Sequence, residues 1–173
     1  QHWTVENFLI PNGGDGVKAG LDKYEGKDAL MLGVWNDRDA NEEGTLSNAR
    51  IYRKVRLEAG RYYFGATFNA LYQLSDQAYI FAADGLVDSY DMEEQSIAHA
   101  RLNKGKTDGS FYGIYFTLEK EQEVVLGFQV NLLEGSATQE FRADDVKLLY
   151  YGAMDYIALE DLIIELDAIV GGV

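Results

Sequence analysis

Cysteine is absent from the 173 residues, which excludes a disulfide framework, a thiolate metal site and a cysteine nucleophile. No apolar run approaches the roughly eighteen residues of a membrane-crossing helix, and no cationic start followed by an apolar stretch marks a signal peptide. Direct membrane insertion is therefore not expected, and the start at Gln1 reads as a trimmed one. Bases are scarce: 15 Lys and Arg face 29 Asp and Glu, for a formal charge of -14. That field repels a phosphate backbone, so nucleic acid is not an expected partner. The two histidines, His2 and His99, are far apart, and His99 falls in an alternating run where a structural role is expected. No nucleophile elbow is present, and "NGGDG" (12–16) lacks the Lys-Ser/Thr ending of a phosphate-binding loop.

What the chain has in quantity is apolar residues, 47% of the total, enough for one domain with a substantial core. They follow a period of two. In "EVVLGFQVNLL", Val124, Leu126, Phe128, Val130 and Leu132 share one face while Gly127, Gln129 and Asn131 occupy the other, the pattern of a strand with one buried side. "FYGIYFTLE" aligns Tyr112, Ile114, Phe116 and Leu118, and the short "KEQ" between the runs predicts an antiparallel hairpin. A second hairpin is expected around Gly60, joining the face of Ile51, Val55 and Leu57 to that of Tyr62, Phe64, Ala66 and Phe68. Further strands are expected at 2–8, 28–35, 77–83, 96–102 and in "QEFRADDVKLLYYG" (139–152). Eight or nine short strands with polar gaps predict an all-β fold, a two-sheet antiparallel β-sandwich over 1–152. After Gly152 the period changes. Leu159, Leu162, Ile163, Leu166, Ile169 and Val170 recur at helical spacing, with Asp155 as a cap, predicting a C-terminal amphipathic helix within 153–173.

"VRLEAGRYYFGATFNA" resembles the L-x-x-G-x-Y-x-F hairpin of galactose-binding-like jelly rolls, and "FRADDVKLLYYG" resembles their closing strand, F-x-V-D-N-V-x-L. The resemblance covers roughly residues 28–152 and departs from the pattern at Ala143 and Asp145. It implies a jelly roll similar to carbohydrate-binding modules and to uncharacterised surface modules of Bacteroidetes glycan-utilisation proteins. By that likeness the setting is extracellular, cell-surface or periplasmic, within a larger parent protein whose other domains are partners.

In an antiparallel sandwich, alternate loops gather at one end. One such end collects the segments after Trp35 and Tyr72, the "NKGKTDG" and "EGSATQ" loops and "PNGGDG". Trp35, Asn36, Arg38, Tyr72, Gln73, Asn103 and Lys104 there combine flat rings with hydrogen-bonding arms. A pyranose needs that pairing, because its apolar C–H face stacks on a ring while its hydroxyls need directional partners. Trp35 is the expected anchor, and a glycan, oligo- or polysaccharide, the expected ligand. Outward positions such as Tyr52, Tyr63 and Tyr79 offer an alternative platform on a sheet face, and Arg50, Lys54 and Arg56 share a side with Tyr52 as a solvated basic stripe.

For a metal, Asp37, Asp39, Asn41 and Glu43 place oxygens at alternate positions like the front of a calcium loop, but Glu42 stands where the EF-hand needs Gly and Asn48 where it needs Glu. The jelly-roll resemblance implies a structural calcium held by Glu6 with Asp144 or Asp145. The reading that follows is a non-catalytic carbohydrate-binding module. The alternatives are a structural or adhesion spacer and a small glycoside hydrolase, for which no carboxylate pair is singled out by spacing.

Overall fold

The computed structural model describes residues 3–7, 17–24, 27–34, 46–72, 77–102, 110–132 and 139–153. For 17–24, 27–34, 46, 69–72, 110, 132 and 139–142 the description is of backbone alone. Residues 154–173, where the amphipathic helix is expected, lie outside the described residues.

Among the described residues, ten strands and one short helix follow in the order β1 (Thr4–Glu6), β2 (Val17–Tyr24), β3 (Lys27–Val34), β4 (Leu46–Leu57), β5 (Gly60–Tyr72), β6 (Ala78–Ala83), α1 (Met92–Gln95), β7 (Ala98–Arg101), β8 (Ser110–Leu118), β9 (Gln122–Leu132) and β10 (Gln139–Tyr150). They form two five-stranded sheets, β1-β4-β9-β6-β7 and β2-β3-β10-β5-β8, and every described pairing is antiparallel. The fold is an all-β sandwich. β2 is a strand that no sequence signal had singled out.

The two expected hairpins do not form. β4 pairs with β9 and β1, whereas β5 pairs with β8 and β10, so the link Glu58-Ala59 carries the chain from one sheet to the other. β8 and β9 are separated in the same way. Alternation shows that one face of each run must be buried, and facing strands satisfy that requirement as well as paired ones. Gly60 makes the tight crossing feasible: its φ is 148°, and a Cβ there would run into the Tyr150 ring and the Gly152 carbonyl.

The core lies between the sheets. Ile51 from β4, Phe64 and Phe68 from β5, Ile80 from β6, Ile114 and Phe116 from β8, and Val124, Leu126 and Phe128 from β9 are buried in one cluster. Phe128 packs between Phe64 and Phe68, with centroids 5.8 and 5.5 Å away. Each such side chain contributes roughly 1.5–3 kcal/mol by leaving water.

β9 is not a one-sided strand. Gln129 is as buried as its apolar neighbours because residues 84–97 fold over the outer face of the sheet, where its Nε2 donates to the Val87 carbonyl and Ser89 Oγ, and Asn131 is buried where it bonds Gln77 and Asn48. Val87 and Met92 from that cover pack with Tyr52, Tyr79, Phe81 and Val125. Asn48, with φ 54°, ties cover to sheet. Its Oδ1 accepts from the Ser89 N–H (2.7 Å) and Gln129 Nε2 (3.2 Å), its Nδ2 donates to Asp88 Oδ2 (2.7 Å), and its N–H donates to Asn131 Oδ1 (2.6 Å).

The adjacent Asp144 and Asp145 are accounted for by a bulge in β10. Asp144 faces Thr67 and Lys147 faces Gly65, so Asp145 and Val146 together oppose Ala66. Asp145 takes a left-handed φ of 51°, and its N–H donates to Asp144 Oδ1 (2.7 Å). The extra residue resets the alternation: Ala143 is buried, and Val146, rather than Asp145, packs on the core. The strict alternation expected across this strand breaks at that point.

Candidate functional site

The outer faces of the two sheets differ. That of the β9 sheet is covered by residues 84–97. Along β5 and β8, the outer face of the other sheet presents aromatic rings to solvent.

The register builds this face. Arg61 faces Thr117, Tyr63 faces Tyr115, Gly65 faces Gly113 and Thr67 faces Phe111. From β10, Leu149 faces Tyr63, and just beyond it the Tyr151 N–H donates to the Arg61 carbonyl at 2.8 Å while the Arg61 N–H donates to the Gly152 carbonyl at 3.0 Å. The Tyr63 ring lies over the paired glycines, and a Cβ on Gly65 or Gly113 would collide with it. Tyr63 thereby becomes a buried floor, 6% exposed, with Phe111 stacked on it at 5.9 Å and Tyr115 tilted against it at 4.8 Å. Tyr115 in turn meets Tyr151 at 6.3 Å. The three outer rings are open to solvent: Phe111 58%, Tyr115 71% and Tyr151 51%.

Beside Tyr115 and Tyr151 is a cavity of about 450 Å³, lined by Arg61, Tyr62, Tyr115, Phe116, Thr117 and Tyr151. Its size falls in the roughly 300–1,000 Å³ range of small-molecule sites. Burial, then the neighbouring Tyr115 and Tyr151, push the Tyr63 hydroxyl above its ordinary value, so it is neutral at physiological pH. That hydroxyl is buried with no hydrogen-bond partner among the described residues. The lining holds rings, hydroxyls and one guanidinium, with no carboxylate or imidazole among the described lining residues. It can stack on and hydrogen-bond to a ligand.

Of the residues expected from sequence, Trp35, Asn36, Arg38, Gln73, Asn103 and Lys104 lie outside the described residues, and Tyr72 is described in backbone only, facing Glu140. The strand ends that flank them do meet at one rim: Leu46 faces Leu132, Val34 faces Gln139 and Val17, Ala78 faces Val130, and Phe68 faces Ser110. The aromatic face extends toward the opposite rim. Tyr52 and Tyr79, considered as platform residues, are buried beneath the 84–97 cover; only Tyr63 of that trio belongs to the exposed cluster, as its floor. His99 sits in β7 with Nδ1 3.0 Å from Ser96 Oγ and its ring edge-on to Tyr79, a structural position. The basic stripe is internally paired: Arg50 is buried beside Glu6, Lys54 lies 4.0 Å from Glu123, and Arg56 bonds Glu121.

Asp37, Asp39 and Asn41 lie outside the described residues. Glu6 accepts from Tyr52 Oη at 2.6 Å, which with burial raises the Tyr52 hydroxyl, and Asp145 pairs with Lys147 at 2.5 Å. Glu6 and the Asp144-Asp145 pair belong to different sheets, and among the described residues no three His, Asp or Glu side chains gather to hold a metal ion.

Sequence reading missed Phe111, Tyr115, Tyr151 and Arg61. A usable signal existed in "FYGIY" and "YYFG", where outward aromatics flank a glycine on strands that become neighbours.

The chain is an all-β sandwich of two antiparallel sheets with an open aromatic face on one of them. Among solved structures, the chain is similar to a CBM4, with 17% identity, a TM-score of 0.50, and coverage of 86% of this chain and 94% of that one. It also aligns with the K1 cleaved adhesin domain of Lys-gingipain from Porphyromonas gingivalis W83 at 12% identity and a TM-score of 0.39, over 87% of this chain and 91% of that one. No family model matches the chain, and no curated protein matches it in sequence. At such identity the likeness to the CBM4 is one of fold.

Proposed function

We propose that this protein is a non-catalytic carbohydrate-binding module that takes a glycan on the outer face of β5 and β8, with Tyr115 and Tyr151 as stacking residues. The observation that carries the reading is the connected, solvent-open ring series Phe111, Tyr115 and Tyr151 laid on the buried Tyr63. Exposed aromatics set in a row on a rigid sheet offer the apolar face of a sugar ring a preorganised surface at little entropic cost. The fold-level likeness to a protein named as a CBM4 agrees with it. Glycan as ligand implies an extracellular, surface or periplasmic setting, with neighbouring domains of a longer protein as further partners. Among the described residues no helix is long and apolar enough to cross a membrane.

Titration calorimetry against a polysaccharide panel tests the proposal, with Tyr115→Ala, Tyr151→Ala and Trp35→Ala as variants. Loss of binding in the first two locates the ligand on the sheet face. Loss in Trp35→Ala alone transfers it to the loop rim, and absence of binding to every glycan leaves a structural or adhesion module.

A further inference from the structure

The cavity beside the tyrosines contains the only charge among its described lining residues, the guanidinium of Arg61. Arg61 is exposed and makes no ion pair among the described residues, although the chain has nearly twice as many acids as bases. Three other exposed cations are held, Arg56 by Glu121, Arg101 by Glu93 at 2.6 Å and Lys147 by Asp145, while Lys120, on the link between β8 and β9, is like Arg61 in having no ion pair among the described residues. Arg61 is also fixed at its base, since its N–H and carbonyl both bond the chain at Tyr151 and Gly152. The side chain therefore rises from the middle strand between Tyr151 on one neighbour and Thr117 on the other, with Tyr115 one register step away.

We infer that the site selects an acidic polysaccharide, one whose uronic-acid carboxylate meets Arg61 while the sugar ring stacks on Tyr115 or Tyr151. This rests on the glycan-binding reading above. A guanidinium offers a planar fork of donors that matches a carboxylate in a two-point contact, and a ring-borne carboxylate lies at the edge of the ring, where an arm beside a stacking aromatic can reach it. A chain of charge -14 repels an anionic polymer over most of its surface. At physiological salt that repulsion is screened beyond about 8 Å, so a carboxylate seated in the cavity meets chiefly the Arg61 guanidinium of the lining, with the Glu58 charge acting from behind Tyr62. A neutral glycan would leave Arg61 merely solvated.

The test measures binding of the wild-type protein, Arg61→Ala and Arg61→Lys at fixed ionic strength to three polymers. These are polygalacturonate, the same polymer after chemical reduction of its carboxyl groups, and a sulfated galactan. Expected is binding of polygalacturonate weakened at least tenfold by Arg61→Ala and partly restored by Arg61→Lys. The reduced polymer should bind wild type and Arg61→Ala alike, both weakly. Equal wild-type affinity for the acidic and reduced polymers, or no effect of Arg61→Ala, overturns the inference while leaving the glycan-binding face intact. Preference for the sulfated galactan over polygalacturonate overturns the carboxylate in favour of a sulfate. Failure of all three, together with failure of a neutral panel, removes the platform itself. Melting temperatures of the Arg61 variants within a degree or two of wild type confirm that folding is unaffected.

Discussion

Tyr63 lies flat over Gly113, on the neighbouring strand, so closely that a Cβ on the glycine would collide with the ring and its hydroxyl. The exposed rings are thereby supported from below by one that cannot move inward. Gly113→Ala is expected to cost about 1–3 kcal/mol by overpacking, read as a drop of several degrees in melting temperature. Tyr63→Phe removes a hydroxyl that has no partner among the described residues and should leave stability unchanged or higher. A Tyr63→Phe loss as large as that of Gly113→Ala would refute this account of the floor.

Phe111, Tyr115 and Tyr151 stand largely in solvent, so truncating them should barely touch the fold. Tyr115→Ala and Tyr151→Ala are expected to shift stability by no more than about 0.5 kcal/mol while weakening glycan binding roughly tenfold each. Calorimetry and thermal melting on the same samples separate the two effects.

Asn48 joins the 84–97 cover to the β9 sheet through both side-chain atoms and a left-handed backbone. Asn48→Ala should lose about 2–4 kcal/mol, because the N–H of the buried Ser89 forfeits its acceptor and alanine disfavours that φ. Asn48→Gly keeps the backbone freedom and should be the milder change; chemical denaturation of the pair checks the order.

Asp88 accepts from the Tyr90 N–H and the Asn48 amide, and these bonds lower its carboxyl below the usual value. A group depressed in the folded state adds stability above its unfolded pKa and loses it as pH falls through the folded one. Wild type should therefore lose stability on acidification below about pH 4 more steeply than Asp88→Asn, which is the weaker of the two at neutral pH. Parallel melting curves from pH 6 to pH 2 would contradict this.

The β10 bulge places Asp145 at φ 51°, a conformation that Asp tolerates and β-branched residues do not. Asp145→Gly should be neutral or slightly stabilising, and Asp145→Val should cost about 1–2 kcal/mol. Equal stability of the two variants would mean the left-handed turn is not maintained.

Most of the architecture was legible because period-two alternation records which side of each strand is buried: Ile51, Phe64, Ile114 and Phe128 all point where their spacing says. Partnership between strands was not legible. Phe64 and Phe128 alternate identically whether their strands lie side by side or face one another, and here they face one another. The candidate site was half visible. Tyr63 was recognisable as outward, but Tyr115 and Tyr151 became its neighbours only through the pairing of β8 and β10 with β5.

Taken alone, the chain's alternating apolar positions and absent cysteines determined an all-β fold held together by core packing rather than by disulfides. Tertiary structure decided the rest. Outward residues have no fate written in their own strand: Tyr79 is sealed because residues 84–97 cross its sheet, and Tyr115 stays open where Tyr63 fills the space above two glycines and lifts the exposed rings to the surface. Burial of an outward side chain depends on what covers it, a property of distant segments that no local period records.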